Sequence, residues 1–214
     1  MSDNISFFKN VLTYPFTGLL NAFFYVLTGM SSFLIFPMLL NFGYNYEIIE
    51  STLNGEKHLP DFKNGKKLLK NGLKMVGAVL CLYLPLLLIN IILNQITANF
   101  TITTIIYLAI NLIIIPFYVL MIGNMVRENR FTALFQVKKV PKFLKNIGYK
   151  KYITYLLTFN IITAIPAGIL FILNPDTIIA LTLIGIPTFT IYLCYICLAG
   201  ARFAGLITQK ATQK

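Results

Sequence analysis

Two long stretches of the chain carry almost no charge, and their lengths predict pairs of membrane-spanning helices. Residues 75–126 include no Asp, Glu, Lys, Arg or His, and Asp176 is the only charged residue in 152–201. A single helix needs roughly 20 apolar residues to cross a hydrocarbon core of about 30 Å. Each stretch is therefore long enough for two helices and a tight turn, and each is predicted to form a helical hairpin.

A third uncharged stretch, residues 10–46, is long for one span and short for two. We interpret it as one span preceded by an interfacial helix, because residues 5–16 place apolar side chains at helical spacing and Tyr14-Pro15 then interrupts the helix. The alternative is that the stretch enters the membrane and returns, which leaves the N-terminus inside. The first residues lack the pattern of a cleavable signal peptide, so the first span is expected to be a retained anchor.

These patterns predict five transmembrane helices joined by polar turns and basic segments. The predicted spans are 19–42, 73–93, 102–126, 152–173 and 178–201, with turns at Asn94-Gln95 and Asn174-Pro175-Asp176. The fold class is therefore all-α: a polytopic helical membrane protein with about five transmembrane helices and two basic amphipathic interfacial segments. Residues 1–214 are expected to form a single integral membrane domain.

Composition agrees with a membrane protein. The chain is 57% hydrophobic and 12% charged, with a mean hydropathy of +0.75, whereas an ordinary soluble domain is roughly 25% charged. So few charges cannot cover a soluble surface, and those present are clustered. The composition therefore does not fit a soluble globular domain.

Lysine and arginine concentrate in three regions of the chain. Residues 45–74 hold six, residues 127–151 hold eight and the C-terminal end holds three, while the turns at 94–100 and 174–177 hold none. Five spans place all three regions on one side, which the positive-inside rule assigns to the cytoplasm. We therefore expect a multi-pass protein of the cell membrane, with its basic loops and C-terminus cytoplasmic.

The two halves of the chain, 54–126 and 127–205, share the order basic segment, span, turn, span. Leu69-Lys70-Asn71 matches Leu144-Lys145-Asn146, but Pro60-Asp61-Phe62 matches Pro141-Lys142-Phe143 at a different offset. Because these two registers compete, a two-fold repeat of the layout remains open.

Several short motifs resemble those of one protein family. They are an early Tyr-Pro-Phe (Tyr14 to Phe16), a Gly-Tyr pair (Gly43-Tyr44), a Gly-Glu-x-x-Leu-Pro-x-Phe loop (Gly55-Glu56, Leu59-Pro60, Phe62) and a Gly-Leu-Lys sequence (Gly72 to Lys74). In these residues the chain resembles an uncharacterised family of polytopic, mostly archaeal membrane proteins, number four thousand and thirteen in the domain-of-unknown-function series. The resemblance implies a fold and a membrane location, and it implies no activity.

Candidate catalytic and metal-binding residues are few. Cys194 and Cys197 have Cys-x-x-Cys spacing, but they lie in a predicted span without histidine, whereas zinc needs about four ligands; packing is the favoured interpretation. His58, the only histidine, lies in a loop near Glu56 and Asp61, and no serine has a nucleophile motif beside it. We expect no catalytic residue, no metal site and no cofactor, and a protein that is not an enzyme.

Transport is the main alternative function. Each predicted span contains a proline, and helices interrupted by proline form the binding sites of many transporters, although proline is also tolerated in membrane helices generally. These prolines are Pro37, Pro85, Pro116, Pro166 and Pro187. The spans lack the charged residues of a proton relay except at their ends, so the alternative is a small-solute or lipid transporter or channel.

The lysine-rich segment after the third span gives the leading functional hypothesis. Its lysines alternate with Phe143, Leu144 and Ile147 at the spacing of a helix that lies on a membrane. The candidate ligands of anionic lipid headgroups are Lys138, Lys139, Lys142, Lys145, Lys150 and Lys151. The alternative is that these charges only set the orientation of the protein in the membrane. Membrane lipids are the expected partners, nucleic acid is not expected, and a homo-oligomer or an unidentified membrane partner remains open.

Overall fold

The computed structural model describes residues 2–31, 34–97, 100–172 and 186–212, and every regular element in these ranges is helical. The α-helices in them are α1 Ser2–Thr13, α2 Leu19–Met30, α3 Ile35–Leu53, α4 Gly65–Thr97, α5 Phe100–Glu128, α6 Val140–Ile147, α7 Tyr149–Ile172 and α8 Ile186–Thr212. Short 3-10 helices occupy Tyr14–Gly18, Phe131–Phe135 and Val137–Lys139. The predicted all-α class is confirmed.

The predicted first span, residues 19–42, is not one helix. It is divided between α2 and α3, which fold back on each other as an antiparallel pair, called here the α2–α3 hairpin. The Tyr25 hydroxyl donates to Asn45 Oδ1 at 3.1 Å, and the Thr28 hydroxyl donates to Asn41 Oδ1 at 2.5 Å. The prediction of one continuous span is wrong because a lack of charge does not show where a helix ends. The observed course is that of the alternative, in which the stretch turns back.

The beginning of the α2–α3 hairpin lies beside its end. The Tyr14 hydroxyl, just before α2, donates to the carbonyl of His58, just after α3, at 3.1 Å. Asn4–Met30 is long and apolar enough to cross a membrane, but the backbone leaves helical geometry at Gly18 (φ −153°, ψ 74°). Only the 12 residues of α2 continue beyond that bend, and they extend about 18 Å. That length is less than a hydrocarbon core of about 30 Å.

Glycines set the close approach of α3 and α4. A Cβ on Gly43 would overlap the carbonyl oxygen of Leu68, and a Cβ on Gly72 would overlap the carbonyl oxygen of Leu39. Only glycine lets two backbones approach this closely. Because each glycine faces the opposite helix, this crossing fixes how the hairpin is attached to the long helix α4.

The predicted turn at Asn94-Gln95 is helical. α4 continues through both residues to Thr97, and Asn94 Nδ2 donates to the carbonyl of Asn90 at 3.0 Å, one turn earlier. The prediction of a turn there is wrong because an amide side chain can bond to its own helix and so does not mark the helix end. The predicted turn at 174–176 and residues 178–185 of the fifth span lie outside the described residues.

Successive long helices bring the basic regions to one end of the bundle. Lys74 Nζ, near the start of α4, donates to Asn129 Oδ1, just after α5, at 2.6 Å. Asn146 Nδ2 on α6 donates to the carbonyl of Ala211, near the end of α8, at 2.8 Å. The segment before α4, the segment after α5 and the end of α8 therefore lie together, and we call this the basic end.

The surface of the long helices is strongly apolar. Among the described residues, Gly65–Ile96 and Thr188–Thr212 also have the length and hydropathy to cross a membrane. On α4, Leu84 and Leu87 are each 54% exposed, and an apolar surface of this extent indicates contact with lipid or another apolar partner. The helical, apolar-surfaced fold is that expected of a membrane protein.

Tyrosines are the largest of the fully buried side chains among the described residues. Five of these tyrosines are essentially inaccessible: Tyr14, Tyr44, Tyr46, Tyr152 and Tyr155. A buried tyrosine needs a partner for its hydroxyl, and the Tyr44 hydroxyl donates to the carbonyl of Pro60 at 2.8 Å, while that of Tyr152 donates to the carbonyl of Pro116. The tyrosines thus tie connecting segments and neighbouring helices together.

Candidate functional site

The lysine-rich segment that follows α5 and ends in the first turn of α7 lies at the basic end, and we call residues 131–151 the basic platform. Two 3-10 helices lead into α6, whose first turn contains Pro141, a residue with a φ already suited to that position. Gly148 ends α6 with a φ of +90°, a conformation that favours glycine. The segment is therefore a sequence of short elements rather than one long amphipathic helix.

The apolar side of α6 packs on the protein. Val140, Phe143 and Leu144 are buried, whereas Lys142 and Lys145 on the other side are exposed. The prediction that this apolar side contacts lipid is wrong, because Val140, Phe143 and Leu144 belong to the packed core, in which α8 is the main neighbour of α6. The lysines consequently point away from the bundle.

The six predicted headgroup ligands are spread over three elements of the basic platform. Lys138 and Lys139 lie in the second 3-10 helix, Lys142 and Lys145 in α6, and Lys150 and Lys151 in the first turn of α7. Lys139 pairs with the Glu128 carboxylate, and Lys151 Nζ lies 6.0 Å from the ring centroid of Tyr155. Lys138, Lys142, Lys145 and Lys150 are exposed and make no ion pair within the described part of the chain. These four have neither an ion pair nor a contact with an aromatic ring among the described residues, whereas Lys151, which is also exposed, lies near the Tyr155 ring.

Exposed apolar side chains lie among these lysines. Phe135, Val137 and Tyr149 are 55%, 55% and 56% exposed, and Ile153 on α7 is 52% exposed. Exposed cations and large exposed apolar groups occur together where a protein surface meets the headgroup region of a bilayer. These four residues, and not the buried face of α6, are large apolar side chains exposed in the basic platform or directly after it.

Glu128 is the acidic residue bound to the basic platform. Its carboxylate accepts hydrogen bonds from Lys139 and from Gln136 Nε2, the latter at 3.3 Å, and it contacts Arg127 at 3.3 Å. The hydrogen bond from Lys139 is the main reason that the pKa of Glu128 lies below its usual value. Glu128 therefore neutralises Lys139 and fixes the start of the platform against the end of α5.

A buried arginine is the principal polar residue that the sequence reasoning missed. In the sequence Arg202 belongs to the charges of the C-terminal end, but it lies inside α8 and is 3% exposed. Its Nε donates to Asn10 Oδ1 at 3.0 Å, and its Nη1 donates to Thr52 Oγ1 at 3.0 Å and to the Glu56 carbonyl at 2.6 Å. The neighbouring residues are the signal in the sequence that Arg202 is buried, because all other residues from Ala199 to Ile207 are small or apolar.

Residues of the family-like motifs surround this arginine and the hairpin. Tyr14 packs under the Arg202 guanidinium, while the rings of Tyr44 and Phe62 lie 4.8 Å apart. Phe62 also donates its backbone N–H to Asn21 Oδ1 at 3.3 Å. These motif residues therefore hold the loop after α3 against the hairpin, and their contacts explain the motifs as structural.

The remaining candidates from the sequence lie in different places. His58 is exposed, and its carbonyl rather than its imidazole bonds to Tyr14. Ser51 is buried and donates to the carbonyl of Ile48 at 3.1 Å. Cys194 and Cys197 face the α2–α3 hairpin from α8. No group of three or more His, Cys, Asp and Glu side chains with metal-binding geometry occurs among the residues that the structure describes.

Comparison with known proteins gives a family but no characterised relative. A family model described as "Protein of unknown function (DUF4013)" matches residues 26–175, which is more than half of the chain. The motif residues from Gly43 to Lys74 lie inside the matched region, so the resemblance stated from them is confirmed. No curated protein and no solved structure matches.

Proposed function

The chain belongs to the DUF4013 family of proteins of unknown function, and from its own geometry we propose that it is a non-enzymatic membrane protein that binds anionic lipid headgroups on the basic platform. The observation that carries the proposal is the joint exposure of four unpaired lysines and of Phe135, Val137 and Tyr149 on one short segment. The apolar groups enter the bilayer surface, and the lysines meet the phosphates of the lipids.

The charges provide enough attraction to select anionic lipids. Each lysine near an anionic leaflet contributes on the order of 1 kcal/mol, so four together favour an anionic over a neutral surface by roughly 4 kcal/mol before entropy is counted. Since the described carboxylates leave Lys138, Lys142, Lys145 and Lys150 unpaired, lipid phosphates are the anions that complete this surface.

The same proposal places the protein in the cell membrane with its basic end in the cytoplasm. α4, α5, α7 and α8 cross the bilayer, and the α2–α3 hairpin enters and leaves from the cytoplasmic side. This arrangement is supported by the proximity of Tyr14 and His58 and by the basic residues collected at one end, which the positive-inside rule assigns to the cytoplasm.

Native mass spectrometry of the full chain in mild detergent tests lipid binding. We expect anionic phospholipid to remain bound to the natural protein and to be lost when Lys138, Lys142, Lys145 and Lys150 are all replaced by glutamine. The matched control replaces Lys57, Lys63, Lys66 and Lys70 of the other basic segment, which removes the same charge. Equal retention in all three proteins, or equal loss from both variants, would contradict a site on the platform.

The α2–α3 hairpin favours a second candidate function, which is transport of a small solute or lipid. The interior prolines do not break their helices, since α4, α5 and α7 continue through Pro85, Pro116 and Pro166. The hairpin provides the break instead, and a cavity of about 210 Å³ lies between it and α8. Discontinuous helices of this kind form binding sites in transporters. Flux of a solute into proteoliposomes, absent from protein-free liposomes, would favour transport over lipid binding alone.

A further inference from the structure

Three sulfur-containing side chains line the cavity between the α2–α3 hairpin and α8. Cys194 and Cys197 come from α8, and Met38 comes from α3. The chain has only three cysteines and six methionines, and two of the thiols and one thioether line the same space of about 210 Å³. We call this the sulfur cavity.

Local geometry places both thiols on its wall. Residues three apart lie on the same face of a helix, so Cys194 and Cys197 both face α2 and α3. A Cβ on Gly29 would lie 2.5 Å from Cys194 Sγ, so glycine at this position of α2 provides the room for that thiol. Tyr25 of α2 and Asn45 of α3, which are joined by a hydrogen bond of 3.1 Å, line the same cavity.

The donors of the sulfur cavity fit a soft, monovalent metal ion. No His, Asp or Glu lines it, and two thiols fall short of the four ligands of structural zinc. Thiolate and thioether ligands select Cu(I) over the harder divalent ions. We propose that the sulfur cavity binds one Cu(I) ion through Cys194 Sγ and Cys197 Sγ, with the Met38 thioether as third ligand.

Binding is a proton-for-metal exchange without oxidation or reduction. The two S–H bonds break, two copper–sulfur bonds form, and two protons pass to water, while the thioether binds through a lone pair. Both cysteines are free thiols, and Cys197 is the more exposed of the two. The amides of Asn41 and Asn45 also line the cavity and supply the polar groups that surround the ligands.

Anaerobic titration of the detergent-solubilised full chain tests the site. Cu(I) is supplied as its acetonitrile complex, with bicinchoninate as the competing chelator. We expect the natural protein to retain one Cu(I), the Cys194→Ser and Cys197→Ser variants to lose it, and Met38→Leu to hold it more weakly. Cys81→Ser, which changes the cysteine on α4 outside the cavity, is the matched control and is expected to retain the ion.

X-ray absorption at the copper edge identifies the ligand atoms of copper in the natural protein, so this measurement does not depend on how well the variants fold. Sulfur-only coordination in the natural protein, retained in Cys81→Ser, supports the site. Nitrogen or oxygen scatterers alone, failure of the natural protein to compete with bicinchoninate, or retention of copper by the Cys194→Ser and Cys197→Ser variants would each overturn the proposal.

Discussion

The guanidinium of Arg202 on α8 lies 4.3 Å from the ring centroid of Tyr14, and both residues are buried. A cation over an aromatic face is stabilised most when it is removed from water. Arg202 makes no ion pair with any carboxylate that the structure describes. The Tyr14 ring and three oxygen acceptors therefore compensate for the water that the buried guanidinium loses. The contact joins the N-terminal part of the chain to its last helix.

Replacing Arg202 by methionine is expected to destabilise the protein by about 2–4 kcal/mol. The apolar side chain fills similar volume but leaves Asn10 Oδ1 and the Glu56 carbonyl without their charged donor, and hydrogen bonds to charged groups are each worth about 1.5–3 kcal/mol. Thermal unfolding in detergent measures the effect. Arg130→Gln also removes one arginine charge, but at an exposed position, and is expected to leave the unfolding temperature unchanged. Equal temperatures for both variants would show that the Arg202 contacts contribute no stability.

The sequence could predict where charges are rare but not which charges are buried. Arg202 follows the apolar stretch directly, so the same one-dimensional pattern fits a charge just outside the membrane and one inside the bundle. Its three acceptors come from Asn10, Thr52 and Glu56, which are 146 to 192 positions away. A contact at that separation depends on how the helices pack, and no local pattern encodes it.

Alanine at Gly43 or Gly72 is expected to prevent the close crossing of α3 and α4. The new methyl group would overlap a backbone carbonyl of the facing helix, and a backbone cannot rotate aside as a side chain can. Overpacking costs about 1–3 kcal/mol where neighbours can adjust, so we expect a loss at or above the upper end of that range. Thermal unfolding and the yield of monodisperse protein measure it.

Gly65→Ala is the control for these variants. Gly65 begins α4, and a Cβ there meets nothing within 4 Å, so the unfolding temperature is expected to stay the same or rise. The close approach at Gly43 and Gly72 also shows the physical role of two glycines in the family-like motifs. Unchanged stability in Gly43→Ala would mean that α3 and α4 do not approach as closely as described.

The pair of Lys139 and Glu128 predicts a pH dependence of stability in acid. The pKa of Glu128 is lowered by Lys139, so folding gains stability from this carboxylate above its unfolded pKa of about 4.5 and loses it as the pH falls through the lower folded value. Lys139→Gln removes the main cause of the shift. Its unfolding temperature is therefore expected to change less between pH 6 and pH 3 than that of the natural protein.

Lys142→Gln provides the comparison for this pH experiment. It removes one exposed lysine of the basic platform that has no described carboxylate partner, so its acid dependence is expected to follow that of the natural protein. If Lys139→Gln and Lys142→Gln gave the same curve, the acid dependence would come from net charge and not from the Lys139–Glu128 pair.

The helical class and the regions occupied by α4, α5 and α7 follow from the sequence, whereas lipid binding by the lysines of the basic platform stays a prediction. What the apolar side of α6 contacts does not follow from the sequence, because an amphipathic helix can bury that side against lipid or against its own protein. The pattern of Val140, Phe143 and Leu144 is the same in both cases. The packing of α6 on α8 decides between them.

The two-fold repeat of the layout stays a prediction. Asn71 bonds to the Glu47 side chain at 2.6 Å, while its counterpart Asn146 bonds to a backbone carbonyl.

The α2–α3 hairpin makes a direct prediction about the side of the membrane on which the N-terminus lies. Because Tyr14 bonds to the His58 carbonyl, Lys9 and Lys57 are expected to lie on the same side, with Gln95 near the end of α4 on the other. Single cysteines at these positions, in a chain whose own three cysteines are serine, are labelled with a membrane-impermeant maleimide in vesicles of known orientation. If residues 19–42 crossed the membrane once, Lys9→Cys and Gln95→Cys would instead be labelled from the same side. The labelling pattern therefore distinguishes a hairpin from a span.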